Sequence, residues 1–303
     1  AIGAINAATE QIPVILFSGR TPVTEQGRLG SRTVPIGWGQ EMRDQTALVR
    51  ETSKWDYELR FPEQAVDIVD RAHAIACSTP KGPVYLSLPR EVLCEPCPAD
   101  DLDAPPRMSP AIAAPRSAAL DEAVRLVAEA KRPLIIAQRG AGSPEGFAAL
   151  AELALAWGIP VSQYWAIQLA IASEHSMSIG TDPAPWLNEA DLVLVLDSIA
   201  PWSPNIHALA DGCKVIQVGQ DPLYARFPVR NFRADLSLVG DTADTIIELE
   251  KRLRPHLTQT AQAREARRAK VTDAHAARRS AVLAQAERGD GDMMTKEWVS
   301  LCL

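Results

Sequence analysis

Val84-Tyr85-Leu86-Ser87-Leu88-Pro89 is a short, mostly apolar run set off by Pro80-Lys81-Gly82-Pro83. A run of this length between turn residues reads as a strand buried on both faces of a parallel sheet. Just upstream, Pro62-Glu63-Gln64 opens a helix. Proline stands at its first position, an acid in its first turn, and apolar residues recur at Ala65, Ile68, Val69, Ala72 and Ile75. Earlier still, Ile12-Pro13-Val14-Ile15-Leu16-Phe17, ended by Ser18-Gly19, reads as another buried strand. A glycine-rich loop from Gly27 to Gly39 and a short helix over Glu41 to Arg50 fill the gap. Helices alternating with buried strands define an α/β domain on a parallel sheet.

Downstream, residues 96–116 are rich in Pro, Ala and Asp and read as an extended interdomain linker. The rhythm then restarts. A helix capped by Ser117 leads to the strand Pro133 to Ala137. Pro144 opens a helix that stops at Gly158, and Ile159 to Ser162 is a strand. A helix ends over Leu187 to Ala190, the central strand is Asp191 to Asp197, another is Lys214 to Val218, and Thr242 to Leu253 is a closing helix. The expected organisation is two doubly wound parallel-sheet domains, at 1–95 (incomplete) and 117–255, with a helical segment at 256–303. Its apolar face is thin, which predicts a surface position.

The 303 residues are 47% hydrophobic and 23% charged, with a formal net charge of −7. Such a surface disfavours nucleic acid or an anionic membrane as the main partner. No apolar run approaches the ~20 residues of a membrane span. Five scattered cysteines fit a reducing, cytoplasmic setting rather than a disulfide framework. Cys94-Glu95-Pro96-Cys97 has no second ligand pair that would make it a zinc site. The opening Ala1-Ile2-Gly3-Ala4-Ile5 is apolar and helix-like, without a basic leader, and suggests that a segment upstream has been removed.

Gln138-Arg139-Gly140-Ala141-Gly142, between a strand and a helix, has the setting of a nucleotide-phosphate loop, because glycines and a helix N-terminus admit a diphosphate. Glu145 stands where the third glycine would be, and a tight turn is the competing reading. Gly289-Asp290-Gly291 has no Asn after it and reads as a solvated turn. The five histidines share no ligand spacing, and no nucleophile elbow, zinc-binding helix or Walker loop is present.

Several phrases occur in an order that resembles thiamine-diphosphate-dependent enzymes of the acetolactate synthase type. The most specific is Lys81-Gly82-Pro83-Val84-Tyr85-Leu86-Ser87-Leu88-Pro89-Arg90-Glu91-Val92. Ser18-Gly19-Arg20, Gly39-Gln40-Glu41 and Thr52-Ser53-Lys54 accompany it. Arg132 to Ile136, Gly158 to Val161, Asn188 to Leu194, Asp221-Pro222 and Gly240-Asp241 extend the likeness through the second block. Lys296-Glu297-Trp298-Val299 resembles the lead-in to a third domain.

The resemblance implies the C-terminal part of a pyrimidine-binding domain, a complete central domain, and a helical linker toward a diphosphate-binding domain. It implies C–C bond making or breaking at a small 2-oxo acid, in a parent homodimer or homotetramer using thiamine diphosphate and Mg2+. The activating glutamate would lie upstream of Ala1 and the metal motif downstream of Leu303, so the chain alone is expected to be inactive. Gln40 is the one residue placed near the active-site entrance, with Gly39 standing where the family has Phe. Gly140 and Gly142 match the first flavin-contacting glycines, which raises FAD as a further cofactor. Asp197-Ser198 and Gln217 to Asp221 depart from the flavin-binding pattern and count against it. The alternative is a non-catalytic nucleotide- or FAD-binding, or regulatory, module built on the central domain.

Overall fold

A computed structural model describes residues 2–97, 105–288, 291 and 294–303. The chain divides into two compact units, Ala1–Ile112 and Ala113–Leu303. The first holds α1 (Ile2–Thr9), β1 (Ile15–Arg20), α2 (Ile36–Gly39), α3 (Ala47–Arg50), β2 (Trp55–Glu58), α4 (Ala65–Cys77), β3 (Val84–Pro89) and α5 (Arg90–Cys94). Its sheet has the order β1-β3-β2 and is wholly parallel. The central strand β3 is almost entirely buried, as its mostly apolar run requires. Ala72 and Ala76 of α4 pack against Val84 and Leu86.

Three boundaries differ from expectation. β1 begins after Pro13, which has no N–H to donate, and runs on through Ser18-Gly19-Arg20 to register with Ser87-Leu88-Pro89. The helix expected over Glu41 to Arg50 shrinks to its last turn, where the Asp44 carboxylate accepts from the Ala47 N–H at 3.1 Å. Strand β2 was not anticipated. It is an edge strand whose four residues are all half-buried, so no face alternates clearly.

The second unit holds α6 (Ser117–Glu129), β4 (Pro133–Ala137), α7 (Pro144–Trp157), β5 (Val161–Ser162), β6 (Ser178–Gly180), α8 (Ala184–Leu187), β7 (Leu192–Leu196), β8 (Lys214–Gly219), β9 (Leu236–Val239), α9 (Thr242–Leu253), α10 (Ala261–Arg288) and α11 (Lys296–Cys302). Its six strands are all parallel, in the order β6-β5-β4-β7-β8-β9. The winding reverses between β4 and β7, both fully buried, which is the doubly wound α/β arrangement. Ser143 caps α7, its Oγ accepting from the Gly146 N–H at 3.1 Å, and Gly158 ends it at φ +60. Asp241 caps α9 through the N–H groups of Ala243 and Asp244.

Two expectations about connecting segments changed. Residues 98–104 of the expected linker and Gly289-Asp290 lie outside the described residues. The stretch after 104 lies along α4: Asp70 accepts from the N–H groups of Arg107 and Met108, and Ala111 exchanges hydrogen bonds with Ser78 and Thr79. The tail helix α10 is held by more than apolar contact. Arg264 donates to the Ala156 carbonyl at 2.5 Å, and Arg267 to those of Trp157 at 2.8 Å and Ala130 at 3.3 Å. These carbonyls end α7 and α6, where the helix dipoles favour cations. His275 adds a 2.8 Å contact to the Ser178 carbonyl, and Val271 is buried.

Candidate functional site

In open parallel sheets ligands gather at the carboxyl ends of the strands. In the first unit that edge carries a charged network. Arg20, the last residue of β1, donates to Glu58 at 2.6 Å and to Glu41 at 3.2 Å. Arg32 donates to Glu41 at 2.8 Å, Thr21 also donates to Glu41, and Ser87 donates to Glu58 at 3.1 Å. The Thr21 hydroxyl, with Arg20 and Arg32, holds the Glu41 carboxyl below the usual range, while Glu58 and Glu41 raise Arg20 further. Gln45 fastens the same loop, its Nε2 donating to Ser18 Oγ, the Gly19 carbonyl and Tyr85 OH.

Gln40 sits at the exposed end of α2, one residue before Glu41. The structure thus ties the loop of Gly39-Gln40-Glu41 to the carboxyl edge through Glu41 rather than through Gln40. Arg20 and Glu58 went unnoticed in the sequence because each becomes meaningful only when β1, β2 and β3 come into register.

In the second unit, the loops after β4, β7 and β8 meet at the reversal point. Arg139, 8% exposed, donates to Asp197 Oδ1 at 3.2 Å and to the Tyr224 hydroxyl. Tyr224 donates to the same Asp197 oxygen at 3.2 Å, and Thr242 donates to the other at 3.4 Å. Two guanidinium groups approach the Tyr224 ring, Arg139 at 5.1 Å and Arg230 at 4.5 Å from its centroid. Arg230 is itself bound to the Ile199 carbonyl at 2.9 Å, the Ser198 carbonyl at 2.8 Å and Gln217 at 3.2 Å. Burial pushes the Asp197 carboxyl up, against the pull of Arg139, and lowers Arg230. Beside this cluster opens a cleft lined by Gln138, Tyr164, Trp165, Ile167, Trp202 and Phe232.

Gly140 and Gly142 lie in a different unit from Gln40, and Gly142 lines a second cleft with Ser143, Phe147, Gln168 and Leu169. A Cβ on Gly140 would meet Gln168 Cβ and the Leu169 carbonyl at 3.1 Å. One on Gly142, at φ +83, would meet the Ala243 backbone nitrogen at 2.8 Å, and one on Gly146 would meet Ala243 Cβ at 2.9 Å. Gly142 and Gly146 let α9 approach α7. That spacing is a helix-packing signal which the phosphate-loop reading passed over.

Residues 120–249 match the family described as "Thiamine pyrophosphate enzyme, central domain". This segment is similar to the central domain of thiamine pyrophosphate enzymes. Around it, the chain is 26% identical over 274 residues to an acetolactate synthase of Mycobacterium bovis, covering 83% of this chain and 40% of that protein. It is 32% identical over 160 residues to a probable 2-ketoarginine decarboxylase of Pseudomonas aeruginosa, covering 50% of this chain and 27% of that one. Benzoylformate decarboxylase from Polynucleobacter necessarius superposes with a TM-score of 0.64 at 21% identity, over 82% of this chain and 46% of that one. The chain therefore spans less than half the length of these relatives. The central domain accounts for the six-stranded sheet, and the likeness to the solved structure extends the shared fold beyond it.

No helix among the described residues is long and apolar enough to cross a membrane. Nor do three or more His, Cys, Asp or Glu side chains among them come together as a metal site.

Proposed function

We propose that the chain is part of a thiamine-diphosphate-dependent carboligase or decarboxylase acting on a small 2-oxo acid. The supporting observation is the breadth of the match: similarity to an acetolactate synthase runs through both units, over 83% of the chain, and is not confined to the central domain. In this reading residues 1–95 belong to the pyrimidine-binding domain, 117–255 form the central domain, and 256–303 lead toward a diphosphate-binding domain. Thiamine diphosphate and Mg2+, held outside this span, would supply an electron sink for breaking the bond next to the keto carbon.

The chain's own contribution is then positional. The Arg20–Glu41–Glu58 network sets the carboxyl edge of the first sheet and fixes Glu41, the neighbour of Gln40, which in this reading lies near the active-site entrance. The whole protein would be a cytoplasmic homodimer or homotetramer, with neither nucleic acid nor membrane as a partner.

The test compares the 303-residue chain with the complete product of its gene, each supplied with thiamine diphosphate and Mg2+. Carbon dioxide release is followed on pyruvate, benzoylformate and 2-ketoarginine. The complete product is expected to act on at least one such 2-oxo acid and the chain alone on none. Inactivity of the complete product on a broad panel of 2-oxo acids would refute the assignment. Activity of the chain alone would refute the placement of its catalytic groups outside this span.

A further inference from the structure

We infer that the protein's own side chains bridge the crevice of the central domain, so that this domain works without a flavin or any other dinucleotide. Three features that a diphosphate would need are already in use. The side of Gly140 and Gly142 on which a Cβ would stand is taken up by Gln168, Leu169 and the first turn of α9, at 2.8 to 3.1 Å from that position. The first turn of α7 is occupied as well. Ser143 Oγ accepts from the Gly146 N–H and donates to the Glu145 carboxylate at 2.8 Å. Glu145 also accepts from its own backbone N–H, which places a negative charge at the N-terminus of α7, where it opposes a second anion.

The third feature is the reversal point between β4 and β7, where a ligand would bridge the two halves of the sheet. Here Arg139 does the bridging. Its guanidinium joins the loop after β4 to Asp197 after β7 and to Tyr224 after β8, and Arg230, also over the Tyr224 ring, ties it to the Ser198 and Ile199 carbonyls. The neighbouring helix α9 is joined through Thr242. A side-chain stack thus links the loops that a bound dinucleotide would otherwise hold. Removing the stack would leave Asp197 buried without its cation rather than open a ready site. The crevice is the same whether the parent protein is a carboligase or a decarboxylase, so the inference can fail while the proposed activity stands, and the reverse.

The test uses the 303-residue chain. Equilibrium dialysis and flavin fluorescence are measured with FAD, FMN and ADP up to about 1 mM, the weak end of specific affinity. No saturable binding is expected, and the purified chain should carry no flavin absorbance. One flavin per chain surviving gel filtration, or saturable binding in the micromolar range, would overturn the inference. The linking role is read by hydrogen exchange in Arg139→Ala. Residues 197–200 and 221–228 should lose protection by at least about tenfold while α6 keeps its own, since both loops lose a charged hydrogen bond to Arg139. Tyr224→Phe, which keeps the ring and removes only the hydroxyl, should give the same pattern more weakly and serves if the first variant does not fold. Unchanged protection in these loops would show that the stack fastens nothing.

Discussion

Replacing Gly142 with alanine separates two readings of the loop after β4. In a ligand-binding loop the added methyl group would project toward empty space and cost only backbone strain. In the structure it would lie 2.8 Å from the Ala243 nitrogen and 3.2 Å from its Cβ, with φ at +83 besides. The left-handed backbone costs roughly 1–2 kcal/mol for a residue with a side chain. Forcing α9 away from α7 adds about 1–3 kcal/mol for an overpacked contact. The sum is about 2–5 kcal/mol. Gly212→Ala is the control, because Gly212 has φ +76 and nothing within 4 Å, and so carries the strain alone. Urea unfolding of the two variants, followed by far-ultraviolet circular dichroism, isolates the packing component as their difference. Ala243→Gly on the Gly142→Ala background should recover only part of the loss, since it clears the methyl group but leaves the nitrogen. Equal destabilisation by Gly142→Ala and Gly212→Ala would refute the packing role.

Asp197→Asn should cost about 3–5 kcal/mol in urea unfolding, because it leaves the buried Arg139 guanidinium without its carboxylate. Arg267→Ala should loosen α10, seen as faster proteolysis between residues 254 and 288, with a loss of about 2–3 kcal/mol; Arg267→Lys should not restore it, since one ammonium cannot reproduce the two-pronged contact with Trp157 and Ala130. Glu41 has a lowered carboxyl, so its contribution to stability is complete above about pH 4.5 and disappears as the pH falls through its folded value. Glu41→Gln should therefore flatten the acid side of the stability profile below that pH and lower the plateau above it; an unchanged acid limb would count against the network.

Most of the fold could be read from the sequence where burial is complete. β3, β4 and β7 are continuous apolar runs, and α4, α6, α7 and α9 carry periodic faces with proline, serine or aspartate at their starts. β2, β6 and β9 were not legible, because edge strands of three or four residues leave too little pattern for a period to show. The docking of α10 was hidden for a different reason. It depends on arginines reaching helix-end carbonyls, and in a sequence such arginines look like any others on a solvated face. The site was less legible than the fold. The glycines after β4 were visible, but their neighbour Ala243 lies a hundred residues on, and only the folded sheet brings Asp197, Tyr224 and Arg230 to Arg139.

The attachment of α10 bears on the order in which the second unit assembles. Its anchoring hydrogen bonds close over 108 residues from Arg264 to Ala156, 137 from Arg267 to Ala130 and 97 from His275 to Ser178. Closures of that span are entropically disfavoured until both ends are already shaped. The six strands and their flanking helices should therefore condense first, with α10 arriving as a late latch. On the ribosome this latch emerges after the sheet that it closes over. Until it does, the carbonyls at the ends of α6 and α7 would face water, and the interval before closure is when the nascent unit is most open to proteases.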